Sequence, residues 1–499
     1  MTNTFWKKQE KKIIIHAGNM NAVESCVDRH ARENPNKLAF VFQDEKGKQE
    51  KITYKELEEK VNKFANLLSK FGKNRRVFLF LPKIPEMYTG FLAVIKSGNI
   101  ACPLFEAFQT QGLELRLERG DADILVTNSE LLKRLKHKRK MKIINIDSLE
   151  FKKQIKKQKE EFKPVIKNKQ ETMLMIFTSS TAGTPVAGIE IPHYALVQQH
   201  YTAEQVLQLN SEENYWCTAH PAWITGAVYG ILAPLSVGCT TFILEGRFQE
   251  NIWINFLKEN KISILYTAPT ALKMLREKIK NHDLEKVKEI FSVGEALPWS
   301  LVEDYKDKGK FIIDTYWQTE TGSIIIANID KIPRSIGKPI AVNAKIKDEM
   351  IVIEKSWPSM MTGIYKHNKM YKSYFSGKLF KTNDRAIQKG KYFYFQGRKD
   401  DIIKTSGERV SPLEIENILL KHKSVKESAV IGIPDKTRGS IIKAFIVLQD
   451  NVTSSEQLKQ EISDFVKNNY AGHSYPKVIE FIKELPKGNS GKIIRSELK

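Results

Sequence analysis

The alternation of apolar and polar positions changes period along the chain, and those changes mark out its elements. After Thr53 the sequence TYKELEEKVNKFANLLSKFG places Leu57, Val61, Phe64, Leu67 and Leu68 at helical spacing. Thr53 and Glu56 form a capping-box pair that predicts where this helix starts. An amphipathic stretch, NAVESCVDRHARENP, and a strand-like run, KLAFVFQ, precede it. Short apolar runs follow, RVFLFLP and ADILVT, each next to a helical stretch. Strands alternating with helices predict layered α/β structure with largely parallel sheets. The rhythm weakens over residues 131–170, where a lysine-rich run predicts a solvated helical surface and connector. It resumes at Met173 and continues past residue 330.

From about residue 335 to 398 the pattern turns β-rich, with AKIKDEMIVIE and YFYFQG separated by turns. After Gly397 come a charged turn, the helix SPLEIENILLKH, the strands ESAVIGIP and KAFIVLQ, and the helix EQLKQEISDFVKNNY. That succession predicts a compact α+β unit. No internal repeat is visible.

Composition narrows the function classes. The 499 residues are 41% hydrophobic and 28% charged, a globular balance. No 18-residue apolar run is present, so no membrane span is expected. The start of the chain, MTNTFWKKQEKKIIIHAGNM, lacks the apolar length of a secretory leader. Cys26, Cys102, Cys217 and Cys239 are far apart, without CxxC spacing, which argues against a disulfide scaffold or structural zinc and for a reducing cytoplasm. The net charge of +22 is spread along the chain, and lysine outnumbers arginine about four to one. No nucleic-acid recognition helix or aromatic RNA-binding motif accompanies it. A lysine-biased composition accounts for the charge; polyanionic small molecules come next as an explanation, and nucleic acid last.

Five clusters carry chemistry. The first is Thr178, Ser179, Ser180, Thr181, Ala182, Gly183, Thr184 and Pro185, after the apolar strand MLMIF. A turn of hydroxyls and glycine can present donors to phosphate oxygens, although ordinary loops look the same and no Walker sequence is present. The second, DTYWQTETG at residues 314–322, sets aromatic, hydroxyl and carboxylate groups at a strand's end. The third is Thr382, Asn383, Asp384 and Arg385. The fourth runs from Gly397 through Arg398, Lys399, Asp400 and Asp401 to Lys404, Thr405, Ser406, Gly407, Glu408 and Arg409. The fifth is LPKGNSGK, ending at Lys492; taken alone, that lysine is a solvated loop residue.

In this order and spacing the clusters resemble the adenylate-forming superfamily of acyl-CoA synthetases, adenylation domains and luciferases, over nearly the whole chain. The similarity is greatest to the acetyl-CoA synthetase and short- to medium-chain acyl-CoA synthetase branch, through YWCTAHPAWITGAVYGILAPL, SVGEALP, DTYWQTETGS, WPSMMTGIY and GRKDDIIKTSGERVSPLEIE. The resemblance implies a large N-terminal domain of layered α/β subdomains with a small β-barrel-like section, residues 1–399. A small mobile α+β lid, residues 400–499, would follow it. It implies ATP, coenzyme A and Mg²⁺ as reactants and cofactor, and a small carboxylic acid as substrate.

By that resemblance Lys492 is the catalytic lysine, and Thr178, Ser179, Ser180 and Thr181 belong to the phosphate loop. Gly294, Glu295, Ala296, Asp314, Thr315, Tyr316, Trp317, Gln318 and Thr319 line the nucleotide. Asp384 and Arg398 reach the ribose, and Arg409 reaches phosphate. Glu320 is the Mg²⁺-associated carboxylate, and Asp400 is the hinge. Ser406, Gly407 and Lys467 face coenzyme A. Trp223, Ile224, Thr225, Val293 and Trp317 wall the acyl pocket, and Trp317, standing where long-chain and aryl enzymes place glycine, implies acetate or another short acid.

Branched or medium-chain acids stay open as alternatives. Tyr316 replaces the branch's usual tryptophan, and His220 replaces an acidic residue common in close relatives. The loop TSSTAGTPVAG departs from the relatives' TSGTTGKPKG, with Thr184 and Val186 where lysines are usual. That departure keeps a weakly active or non-catalytic acyl-adenylate-binding homologue as a further alternative. The expected assembly is a monomer or homodimer without nucleic acid.

Overall fold

In the run Arg76–Phe80, Val77, Phe78, Leu79 and Phe80 are all fully buried, as expected of a strand covered on both faces. It pairs in parallel with Ile100–Leu104 on one side and Ile124–Thr127 on the other. The structure is a computed structural model that describes residues 3–137, 140–177, 187–398, 403–405, 408–410, 412–435, 439–469, 475–487 and 493–498. Within it the described strands form two large N-terminal sheets. One is seven-stranded and runs from Gly363–Ile364 through Gly188–Pro192, Thr172–Phe177, Ile100–Leu104, Arg76–Phe80 and Ile124–Thr127 to Lys142–Asn145. The other is nine-stranded; its centre is Ile312–Tyr316, Glu289–Ser292, Ile264–Thr267, Asn214–Cys217, Thr240–Leu244 and Leu38–Gln43, all paired in parallel.

Helices pack on the sheet faces. Thr53 caps Tyr54–Ser69 with a complete capping box, as its pairing with Glu56 predicts. That helix packs against Pro85–Lys96, and Gly90 permits the approach: a Cβ there would lie 3.0 Å from the Phe64 ring. One apolar core runs through both sheets and their helices, from Trp6 to Phe393. A third, smaller sheet of Ala344–Lys347, Met350–Glu354, Phe375–Ser376, Leu379–Lys389 and Tyr392–Arg398 forms the half-barrel. A small C-terminal domain has its own core of Ile415, Leu419, Val430, Ile442, Ala444, Ile446, Ile462 and Val466. Its helices Pro412–Leu419 and Glu456–Asn469 lie on the sheet Val425–Asp435, Gly439–Leu448 and Val478–Phe481.

Two strands run against the sequence pattern. Gln49–Thr53 forms a hairpin with Leu38–Gln43, although three of its five residues are exposed. Lys142–Asn145 adds a parallel edge strand within the charged stretch read as connector. Both are edge strands, with too few buried side chains to imprint a period. No helix among the described residues is long and apolar enough to cross a membrane. Cys26, Cys102, Cys217 and Cys239 are buried free thiols whose pKa values burial raises, that of Cys217 to about 12.

The N-terminal helices meet at a buried ion pair. Lys96 and Asp28, with side chains 1% and 6% exposed, join the end of one helix to the segment before Arg29–Glu33, and Asn62 accepts from the same ammonium. Removing one member of a buried pair leaves a charge without compensation, at a cost of about 3–5 kcal/mol. Lys96→Met should therefore lower stability to chemical denaturation by about that amount. Adding Asp28→Asn should restore most of it, as read from denaturation midpoints.

Candidate active site

Parallel pairing brings the C-terminal ends of Ile264–Thr267, Glu289–Ser292 and Ile312–Tyr316 to one edge, the place where open α/β sheets receive ligands. Val293, Gly294, Glu295 and Ala296 leave the middle strand there. Gly294 has φ +87° with no atom of the described residues within 4 Å of a Cβ, so backbone conformation and not space demands glycine. Thr270 donates to Glu295 Oε2 at 2.6 Å. Asp314 is 7% exposed, and burial pushes its carboxyl up to about 7 against the opposing pull of the Thr315 amide.

The next segment crosses to the half-barrel. Tyr316 Oη donates to Asp384 Oδ2 at 2.7 Å, and Gln318 Nε2 donates to the same oxygen at 2.7 Å and to the Thr382 carbonyl at 2.8 Å. Asp384 is 6% exposed, and its own amide donates to Thr382 Oγ1. Two residues expected at the nucleotide, Tyr316 and Gln318, thus converge on the carboxylate of a third, Asp384. Asp384 also lies opposite Arg398 in the strand register. Gln318 Oε1 is buried and has no hydrogen-bond partner among the described residues, the kind of orphaned acceptor that a bound polar ligand satisfies.

The turn Thr319–Thr321 is fixed from below. Trp357 Nε1 and Ser359 Oγ both donate to the Thr321 carbonyl, and a Cβ on Gly322 would come within 1.9 Å of the Ser359 carbonyl oxygen. Gly322 has φ +70°, so conformation and space both require glycine. Glu320 follows Thr319 in this turn, and its Oε1 accepts from Tyr374 Oη at 2.8 Å. Among the described residues no three His, Cys, Asp or Glu side chains gather as a metal cage. A lone carboxylate fits Mg²⁺, which keeps most of its ligands as water and phosphate oxygens.

The expected acyl wall is largely apolar. Ile224, Val293 and Trp317 are buried in the same core as Tyr229 and Tyr266. Trp223 and Thr225 flank Ile224 at the start of the helix Ile224–Ala227, and the Trp223 ring lies 6.0 Å from that of Phe105. His220 precedes them and is locked in place. Its Nδ1 accepts from the Ala222 amide at 3.0 Å, so Nε2 carries the proton and faces the Leu81 carbonyl and Glu106 Oε2, 2.9 Å away. The histidine that departs from the family pattern is therefore matched by a carboxylate from another strand end.

Lys492, Thr178, Ser179, Ser180, Thr181, Asp400, Ser406 and Gly407 lie outside the described residues, as do the side chains of Arg398 and Arg409. Lys467 is exposed on Glu456–Asn469, with its ammonium 5.5 Å from the centre of the Tyr475 ring. A cavity of about 360 Å³ opens beside the expected nucleotide wall; Ala296, Asp314 and Phe395 line it together with Leu413 and Asn417 of the helix Pro412–Leu419. Sequence reasoning missed Glu106, Tyr229, Tyr266 and Tyr374. Their only local signal is a polar tip in apolar surroundings, such as Tyr266 in the strand ILYT.

Layered α/β sheets, a half-barrel and an aromatic-carboxylate node at the strand ends define a nucleotide-binding enzyme class, and comparison with known proteins gives the family. Residues 27–353 match the AMP-binding enzyme family, and residues 414–492 match the AMP-binding enzyme C-terminal domain. The chain belongs to this family. It is 40% identical over 519 residues to the acetyl-coenzyme A synthetase of Bacillus subtilis (strain 168), covering 97% of this chain and 90% of the relative. It is 33% identical over 547 residues to that of Methanothrix thermoacetophila, covering 97% and 83%. Among solved structures, the anthranilate CoA ligase AuaEII in complex with anthranoyl-AMP superposes with TM-score 0.88 at 26% identity, covering 97% of each chain. A Brucella canis acyl-CoA synthetase superposes with TM-score 0.76 at 27% identity, covering 99% of this chain and 96% of its own.

The buried Asp314 carboxyl has a measurable signature. Its folded pKa is raised, so the native state holds a proton that the unfolded chain releases near pH 4, and stability falls as pH rises from there through about 7. Asp314→Asn should flatten this fall by on the order of 3 kcal/mol. Unfolding midpoints compared at pH 5 and pH 8 measure it. Glu245, also raised to about 7 by burial, leaves a residual slope in the variant.

Proposed function

We propose that the protein is an ATP-dependent, AMP-forming acyl-CoA synthetase whose acid is acetate or another short-chain carboxylate. The observation that carries the choice of acid is Trp317, a buried indole at the end of the expected acyl pocket, with Tyr229 and Tyr266 behind it. In the first half-reaction a carboxylate oxygen attacks the ATP α-phosphorus; the bond to the β-phosphate oxygen breaks, and pyrophosphate leaves. In the second, the coenzyme A sulfur attacks the acyl carbonyl carbon, the bond to the AMP oxygen breaks, and the thiol gives up its proton.

Asp384, held by Tyr316 and Gln318, accepts from the ribose hydroxyls. Gly294 to Ala296 and Asp314 to Thr319 enclose the adenine, and Arg398 and Arg409 add contacts to ribose and phosphate. Thr178 to Thr181 hold phosphate oxygens. Glu320 would hold Mg²⁺, whose charge would offset that of the triphosphate. Lys492 stabilises the charge shared between carboxylate and α-phosphate. We place the domain boundary between residues 399 and 400, with Asp400 as the hinge. The 400–499 lid would withdraw Lys492 after adenylation and bring Ser406, Gly407 and Lys467 to the coenzyme. The buried, unpaired cysteines support a cytoplasmic setting, with the enzyme acting as a monomer or homodimer.

The loop TSSTAGTPVAG favours a second reading, a weakly active or non-catalytic acyl-adenylate-binding homologue, because Thr184 and Val186 remove cations that would meet pyrophosphate. A panel of C2 to C8 linear and branched acids, assayed for AMP and thioester, separates the readings. Product with acetate above all others supports the first. ATP binding without product from any acid supports the second.

Two variants test the assigned residues. Lys492→Ala should lower acetyl-adenylate formation by at least about 10²-fold, while thioester formation from supplied acetyl-AMP stays near wild type; equal loss of both half-reactions would remove the assigned role. Trp317→Gly should move the preference toward longer acids and cost about 3–5 kcal/mol of stability. An unchanged chain-length profile in the folded variant would show that another group closes the pocket.

A further inference from the structure

Trp317 is held by more than packing. Its indole Nε1–H donates to Tyr266 Oη at 3.1 Å. An indole nitrogen only donates, so Tyr266 Oη accepts, and its own hydrogen is left for Thr315 Oγ1 at 2.8 Å. Thr315 in turn donates to the Ser292 carbonyl at 2.7 Å. Each hydrogen has one place to go, so the chain runs in one direction from the indole to the backbone of Glu289–Ser292.

A second directed chain holds Tyr229. The Ile324 amide donates to Tyr229 Oη at 2.9 Å. Thr202 gives its hydrogen to the Gln198 carbonyl and so accepts from Tyr229 at 2.7 Å. The Tyr229 ring meets the Trp317 ring edge-on, with centroids 5.1 Å apart and planes at 84°, and meets Tyr266 at 5.6 Å. Both tyrosines are fully buried, so water offers their hydroxyls no alternative partner. The indole therefore tilts or slides only by leaving a buried donor and a buried acceptor unpaired.

We infer that Tyr266 is a positioning residue for acid specificity: its hydroxyl fixes the height and tilt of the Trp317 indole and so sets how many carbons the pocket admits. The same chain ends on the Ser292 carbonyl, one residue before Val293 and two before Gly294, so the acid floor is tied to the strand end that carries the nucleotide wall. Tyr266 acts through Trp317 and needs no contact with the acid. This inference rests on the synthetase reading above.

The test is Tyr266→Phe, which keeps the ring and removes the hydroxyl. Wild type is assayed first for thioester formation from acetate, propionate and butyrate. Product with none of them would overturn the synthetase reading and this inference together. With an active wild type, Tyr266→Phe should lower the ratio of kcat/KM for acetate to that for butyrate by about tenfold, chiefly through a lower KM for butyrate. The KM for ATP at saturating acetate should stay within about threefold, since the hydroxyl lies behind the indole.

Tyr229→Phe is the control. It removes a buried hydroxyl that touches the same cluster but does not bond the indole, so its acid ratio should match wild type. Equal shifts in both variants would mean that the hydroxyls matter only to core integrity. A folded, active Tyr266→Phe with an unchanged ratio would refute the inference and leave the synthetase reading intact. Should Tyr266→Phe fail to fold by circular dichroism, Thr315→Val carries the same test by removing the acceptor of the Tyr266 hydrogen. Thr315→Ser keeps that acceptor, so its acetate-to-butyrate ratio should exceed that of Thr315→Val; equal ratios in the two variants, which share any effect on the adenine wall, refute the inference.

Discussion

Helices cover the faces of both N-terminal sheets, so backbone and side chains can meet a ligand only where strands end. Parallel pairing sends those ends the same way. The three strands Ile264–Thr267, Glu289–Ser292 and Ile312–Tyr316 deliver Tyr266, the Val293 to Ala296 segment and the Tyr316 to Thr319 segment to one edge. The half-barrel then contributes Asp384 from outside the sheet. The proposed nucleotide wall and the proposed acid wall are thus neighbours by topology, separated by single residues along the same strands. Asp314 is buried at this edge, and Trp317, three residues later, is the buried residue proposed to close the acid pocket.

Much of the layering was legible because buried strands announce themselves. Runs such as RVFL and MLMIF admit no amphipathic helix of useful length, and the Thr53 capping box locates a helix start to the residue. Gln49–Thr53 and Lys142–Asn145 were not legible, because an edge strand with one buried side chain leaves no period to read. The site divides in the same way. Asp384, Trp317 and Glu320 stand in distinctive local strings, so resemblance could propose roles for them. Tyr266, Tyr229 and Glu106 owe their importance to partners far along the chain: Trp317 is 51 residues from Tyr266, and His220 bonds a carbonyl 139 residues away. Their own surroundings look like ordinary core or ordinary loop.

His220 shows how a departure from a family pattern can be absorbed. A histidine in place of an acid would disturb a site that relied on negative charge there. Here the ring accepts a backbone hydrogen at Nδ1 and faces Glu106 through Nε2, so a carboxylate is still present on the same wall, supplied by the loop after Ile100–Leu104. Phe105 on that loop carries the contact on to Trp223. The wall is therefore a property of three strand ends acting together and not of the single substituted position.

The buried cysteines have a practical consequence for an enzyme whose substrate is itself a thiol. With every cysteine enclosed and the thiolate form suppressed by burial, the folded chain should be silent toward thiol reagents at neutral pH. A colour reagent that counts free sulfhydryl groups would then register coenzyme A alone, and its disappearance would report turnover without background from the catalyst. Loss of the native fold would unmask four new sulfhydryls per chain. The same reagent thereby becomes a clock for unfolding, with inactivation and exposure readable in one cuvette.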